Sequence, residues 1–196
     1  MGPGEGATPE QNEMAFELGK AIAQQGWVTL TGGRSFGVMG PGESASPEEN
    51  KMAFDLGKAI AKEGWVTLTG GRSFGVMDAV MKGAQEENGL TIGILPTETT
   101  KGCSENAQIR IVTGMNSARN YIAALSSNVV VVLGMAAGTA SEVALAAKAN
   151  KKIILLNQDE ISIQFFKKIG TYKILVANTV DETIKLIKEY LSVHNI

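Results

Sequence analysis

At 196 residues, 44% of them hydrophobic and 19% charged, the chain can bury one sizeable core and stands near the average for a globular domain. A formal net charge of -2 supplies no basic surface, which argues against nucleic acid or anionic lipid as partners. The single cysteine, Cys103, and the single histidine, His194, exclude an intrachain disulfide, a Cys/His metal cluster and a histidine-based triad within one chain, so no protein-ligated metal is expected. No stretch approaches the roughly 18 to 20 apolar residues that span a bilayer, and the N-terminal segment lacks a basic start followed by an apolar run. A cytoplasmic protein without membrane contact is the expectation.

From the N-terminus, the first feature is a tandem repeat. Gly2 to Met39 aligns without a gap to Gly40 to Met77, the 38-residue copies differing at seven positions. Solenoid units occur at least three times, and nothing after Met77 repeats this one, so a duplication inside an ordinary domain is expected. Each copy has the same grammar. Ser46-Pro47-Glu48-Glu49 is a helix start with a capping residue, proline at the first helical position and a glutamate placed to close a capping box, and Thr8-Pro9-Glu10-Gln11 repeats it. Met52, Leu56, Ala59 and Ile60 then share one helical face, Gly64 stops the helix, and Trp65 to Thr69 reads as a strand. Two glycines and an arginine come next, Gly70-Gly71-Arg72, which let a ligand approach the backbone and offer a planar donor fork to phosphate or carboxylate.

The flanks separate the copies. Met77 runs on into Asp78 to Ala84, a helix, whereas Met39 meets Gly40-Pro41-Gly42, which no helix survives. Phe36 to Met39 therefore reads as a strand entering a glycine-rich loop that leads to the Ser46 helix, the opening of a doubly wound unit. Residues 1–33 are then a surplus duplicated helix-strand segment, with Trp27 to Thr31 as its strand, and residues 34–196 the working domain.

Further on, Leu90 to Leu95 is a strand ended by Pro96, and Thr97 to Ala107 is a polar flap beside the site that carries Cys103 as an exposed bystander thiol. Ile109 to Val112 is a short strand leading to a helix capped by Ser117, with Tyr121, Ile122 and Leu125 facing inward. Arg119 in its first turn opposes the helix dipole, a conflict that a bound anion relieves. The stretch that organises the chain is Asn128 to Lys148: five apolar residues, Val129 to Leu133, form a strand covered on both faces, succeeded by small residues and a helix from Gly138. Thr139 or Ser141 can cap this helix, Glu142 falls in its first turn, and its N-terminus aims free N-H groups at whatever lies above the sheet. Lys152 to Leu156 is another buried strand, Ile161 to Ile169 a helix, Tyr172 to Val176 an edge strand and Asp181 to Val193 a closing helix. Met14, Met52, Met77 and Met81 fall at helix-face spacing and read as core fillers.

Five motifs in this order, Gly37-Val38-Met39-Gly40-Pro41-Gly42, Leu68 to Met77, Ile92 to Pro96, Val112-Thr113-Gly114-Met115 with Ala118-Arg119-Asn120, and Gly134 to Glu142, resemble the Rossmann-like family that includes the molybdenum cofactor carrier proteins. That family is related to the LOG phosphoribohydrolases. The resemblance implies an α/β fold, a doubly wound Rossmann-like parallel sheet with helices on both faces, a phosphate-bearing nucleotide-like ligand over the strand ends, and a homo-oligomer, dimer or tetramer. It also implies the ligand-binding positions: Gly40, Pro41 and Gly42 in a first loop; Gly70, Gly71, Arg72 and Gly75 in a second; Thr113, Gly114, Met115, Arg119 and Asn120; and Gly134, Gly138, Thr139 and Glu142.

In the hydrolase branch, the arginine matching Arg119 and the glutamate matching Glu142 are catalytic. The chain departs from that branch where it has Pro-Gly-Gly before the last Gly-Thr, since Gly134, Met135 and Ala136 stand here, and Asn120 replaces the lysine of its Met-His-x-Arg-Lys box. Two functions remain: a carrier of the molybdenum cofactor or a pterin precursor, and alternatively a phosphoribohydrolase cleaving the N-glycosidic bond of a nucleoside 5'-monophosphate.

Overall fold

The computed structural model describes residues 6–24, 34–170 and 173–194. The chain divides into two compact units, Met1–Gly33 and Arg34–Ile196. In the first, the described element is helix α1 (Pro9–Gln24), where Gln11 Oε1 accepts from the Thr8 N-H and Thr8 Oγ1 accepts from the Gln11 N-H, the reciprocal cap that the sequence specifies. Met14, Phe16 and Leu18 on this helix are exposed. Met14 is therefore not a core filler. The strand expected at Trp27 to Thr31 lies outside the described residues.

The second unit is an α/β fold with the order β1 (Ser35–Met39), α2 (Pro47–Lys62), β2 (Val66–Thr69), α3 (Gly75–Glu86), β3 (Thr91–Leu95), β4 (Ile109–Val112), α4 (Arg119–Leu125), β5 (Val129–Leu133), α5 (Ala137–Lys148), β6 (Lys152–Leu156), α6 (Glu160–Gly170), β7 (Ile174–Ala177) and α7 (Val180–His194), with a 3₁₀ turn at Asn116–Ala118 before α4. Seven strands pair in parallel in the order β4-β3-β2-β1-β5-β6-β7. Alternation along β5 shows how both faces are filled. Val129, Val131 and Leu133 join a core with Ala53, Leu56 and Ile60 of α2, Val80 and Met81 of α3, and Ile184 and Ile187 of α7. Val130 and Val132 face the opposite side, against Ala123 and Ala124 of α4, Val143 and Ala146 of α5, and Phe166 of α6. Helices on both faces make such a run of β-branched residues continuous rather than alternating. No described helix is long and apolar enough to cross a membrane.

The pentapeptide Ser-Phe-Gly-Val-Met occurs twice in two conformations. As Ser35–Met39 it is β1, with Phe36 buried against Trp65 at a ring-centroid distance of 4.5 Å. At its second occurrence Gly75, Val76 and Met77 already form the first turn of α3, three residues earlier than the sequence predicts. The residues downstream decide between the two: Gly40-Pro41 forbids a helix, whereas Asp78-Ala79-Val80 continues one.

The second copy supplies α2 and β2. Its seven points of difference from the first copy, Ser44, Ser46, Glu49, Lys51, Asp55, Lys62 and Glu63, include no buried position. Ala53, Leu56, Gly57, Ile60 and Ala61, the buried residues of α2, all recur in the first copy.

Three other expectations are corrected. Tyr121 and Leu125 of α4 are exposed, and Arg119, Asn120, Ala123 and Ala124 face inward, because the 3₁₀ turn at Asn116–Ala118 shifts the helical phase that Ser117 was expected to set. The flap expected at residues 97–107 is tied down in its second half. Asp78 accepts from Ser104 Oγ and Asn106 Nδ2, Gln85 donates to the Asn106 carbonyl at 2.9 Å, and Arg72 bridges to Cys103. Cys103 is half-buried against the core rather than exposed, and burial pushes its thiol up, so it is chemically quiet.

Deleting residues 1–33 is expected to leave the second unit folded, with a melting temperature within a few degrees of the full chain. Deleting 1–39 also removes β1, which is hydrogen-bonded on both sides, and should abolish cooperative melting by circular dichroism.

Candidate functional site

The sheet reverses its winding between β1 and β5, since β2 to β4 lie on one side and β6 and β7 on the other. Loops leaving the two strands part in opposite directions there and open a crevice at their carboxyl ends. A cleft of about 290 Å³ lies there, lined by Gly40, Pro41 and Gly42 after β1, Arg72 after β2, Pro96 after β3, Asn116, Ser117, Arg119 and Asn120 around the start of α4, and Ala136, Gly138, Thr139 and Glu142 after β5.

The glycines differ in what they make room for. At Gly40 a Cβ would sit 2.7 Å from Val76 Cγ1, and at Gly42 it would sit 2.8 Å from the Phe74 ring, so both let the first loop press onto α3. Gly75, at φ +65°, tucks beneath the Pro41 and Gly42 carbonyls, and the Val76 N-H donates to Pro41. Gly134, at φ +71°, packs on Pro41 and Glu49, and Gln158 Nε2 donates to its carbonyl at 3.1 Å. Gly138 is unlike these. A Cβ there would meet nothing within 4 Å, and its φ is not positive, so packing does not demand a glycine at this point of the cleft wall.

Helix α5 begins at Ala137 and has no side-chain cap, its cap residue being Ala136. The expected caps have other roles: Thr139 is buried in the cleft wall, and Ser141 Oγ donates to the Gly138 carbonyl at 2.7 Å. Glu142 lies beyond the first turn. The first N-H groups of a helix that also sets the positive end of its dipole are left facing the cleft, which suits an anion.

Arg119 and Glu142 meet across the cleft floor, Nη1 to Oε1 at 3.4 Å, and each is about nine-tenths buried. Glu142 thus supplies the anion that the first turn of α4 was expected to need. Gly70 makes the approach possible, because a Cβ there would lie 2.5 Å from both terminal nitrogens of Arg119. Burial pulls the Arg119 guanidinium below its ordinary value, Glu142 opposes that shift, and nearby Arg72 adds to it. Burial raises Glu142 to about 7, against the pull of Arg119. Arg119 Nε is buried with no hydrogen-bond partner among the described residues.

Of the expected ligand-binding residues, the fold gathers Gly40, Pro41, Gly42, Arg72, Arg119, Asn120, Gly138, Thr139 and Glu142 in the cleft wall. Gly70, Gly71, Gly75 and Gly134 stand behind it, shaping the loops. Thr113, Gly114 and Met115 do not line it: Thr113 Oγ1 donates to the Leu95 carbonyl at 2.7 Å and Gly114 packs on Glu98, which steers the chain toward Asn116. Sequence reasoning missed Met77, Pro96, Asn116, Ser117 and Ala136. Met77, expected in the core, is cleft wall instead.

The family model described as the SLOG cluster4 family matches residues 35–184 and, separately, residues 1–40. The chain belongs to the SLOG cluster4 family. Among solved structures, it is 48% identical to the molybdenum cofactor binding protein from the phototrophic bacterium Rippkaea orientalis, over 81% of this chain and 98% of that one, with a TM-score of 0.79. The Moco carrier protein from Chlamydomonas reinhardtii is 46% identical over 82% of this chain and 98% of its own, with a TM-score of 0.77. The resemblance drawn from the five motifs is thereby borne out. An uncharacterised protein of Archaeoglobus fulgidus is 41% identical over 68 residues, and the chain spans 44% of the length of that curated relative.

Glu142 makes stability depend on pH. Its folded value of about 7 lies above the ordinary 4.5, so the folded state holds the proton more tightly than the unfolded chain. The resulting stabilisation is complete below that ordinary value and is lost as pH rises toward 7, by up to about 3 kcal/mol. Denaturant melts at steps across this window should show that fall, and the Glu142→Gln protein should lack it.

Proposed function

We propose that this SLOG cluster4 protein binds and carries a phosphate-bearing, nucleotide-like cofactor, the molybdenum cofactor or its pterin precursor, in the cleft over β1 and β5. The observation that carries the reading is the start of α5: an uncapped helix N-terminus at the sheet's reversal point, with Gly138 facing open space. The residues fit such a group. The α5 N-H groups and Arg72 would hold the phosphate, Arg119 has a buried donor to spare, and Pro41, Met77 and Pro96 offer apolar wall to a planar ring. The proteins of Rippkaea orientalis and Chlamydomonas reinhardtii, named for the same cofactor, extend the reading to this chain. A cytoplasmic homo-oligomer belongs to it, supported by exposed Ile111 and Val112 on edge strand β4 and exposed Tyr121 and Leu125 on α4.

One observation favours the hydrolase as a second reading: a buried carboxyl raised to about 7 beside an arginine is what general acid chemistry at a glycosidic bond uses. Arg119 and Glu142 would then be the catalytic residues. Asn120, Met135 and Ala136 stand where the hydrolase pattern has its lysine and glycines, which favours the carrier.

Incubation with adenosine monophosphate separates the two, since free adenine is released only by the hydrolase, and mass spectrometry of the copurifying small molecule identifies cargo. Gly138→Val puts a branched side chain into the cleft without touching the fold. It should weaken binding of that molecule at least about 100-fold, near 3 kcal/mol, while thermal melting of the ligand-free protein stays within a few degrees. Undiminished binding by the variant would falsify the phosphate reading.

A further inference from the structure

The Arg119–Glu142 pair lies in the cleft wall. At 3.4 Å through a single nitrogen it is loose, although each partner is about nine-tenths buried and each faces the cleft. The guanidinium also keeps a buried Nε unused, so it has donors in reserve for a second acceptor. An anion at the start of α5 would face the Glu142 carboxylate as well as Arg119, and two negative groups in a water-poor site repel.

We propose that Glu142 is a proton-dependent latch on this anion site: an incoming dianion takes over the Arg119 guanidinium, and the displaced Glu142 carboxylate takes up a proton from solvent. The inference rests on the anion reading of the cleft. The balance is simple, because one ion-pair contact is exchanged for another and the proton bound offsets one of the two entering negative charges. Arg119 from α4 is the charged group that faces Glu142; Asn120, also from α4, is neutral and donates to Ser141, and Arg72 adds positive charge beside Arg119. From β1, β5, β6 and α6, which also pack near α5, no charged side chain lies within ion-pair distance of Glu142 among the described residues. The carboxyl, raised by burial to about 7, is already near the point where such a displacement tips it. Cargo with a phosphate monoester would then be held more tightly at lower pH and released as pH rises, without any change of fold.

Inorganic sulfate is the probe, because it stays a dianion from about pH 6 to pH 9 and brings no titration of its own. Calorimetric titration of the full chain should give an affinity that is level below about pH 7 and falls about tenfold per pH unit above it. Binding enthalpies in two buffers of different ionisation heat should report close to one proton taken up at about pH 8. Infrared difference spectra at that pH should show a carboxylate band replaced by a protonated carboxyl band when sulfate binds. In Glu142→Gln, sulfate affinity should be level throughout, with no proton uptake. Sulfate binding by the parent with no pH slope and no carboxyl band overturns the latch and leaves the anion site standing; so does a slope that survives in Glu142→Gln. No sulfate binding at any pH overturns the anion site and the latch together. Should Glu142→Gln not fold, proton uptake and the infrared band in the parent decide the matter.

Discussion

The pairing of β1 with β5 is the constraint on which the rest depends. Phe36 to Met39 register against Val129 to Val132, and this single parallel junction joins two halves wound in opposite directions. Because right-handed crossovers send α2 and α3 to one face and α4 and α5 to the other, the loops at the junction cannot close over each other. The cleft is therefore a consequence of topology, and the loop residues only tune it. Gly40, Gly42 and Gly75 bring the first loop down onto α3, and Gln158 fixes the loop after β5 by holding the carbonyls of Val132 and Gly134.

The same low-dielectric floor that supports the sheet makes the charges in it expensive. A buried ion pair contributes little net stability, and its members are held there by the geometry around them. Gly70 gives Arg119 its place on the backbone, α5 brings Glu142 up from the other side, and the reversal of winding aims both at one space.

The duplication puts a limit on what local sequence can specify. Every buried position of α2 is matched in the first copy, and α1 forms over the corresponding residues with the same capping pattern. In the sheet, the helix and strand of the second copy, α2 and β2, follow β1 and lead into α3. Ser-Phe-Gly-Val-Met makes the point within one pentapeptide, a strand before Gly-Pro-Gly and a helix start before Asp-Ala-Val.

Sequence alone determined the element types and the fold class. Strands β1, β3, β5 and β6, the capping box of Ser46 and Glu49, and the glycine loops after β1, β2 and β5 announce themselves through β-branched runs, caps and breakers, all of which act within a few residues. It also picked out Arg72, Arg119, Gly138 and Glu142 for the site. Tertiary structure alone decided what those residues meet. Glu142 was legible as an acidic residue near a helix start, but its 3.4 Å partner is 23 residues away on another helix, and no local pattern carries that distance. Met77 and Pro96 became cleft wall, Thr113 to Met115 were left outside it, and Tyr121 turned outward, because a short 3₁₀ turn and the order of strands fix which faces meet. Short-range chemistry writes the elements; the phase and placement of each surface are settled only when the sheet assembles.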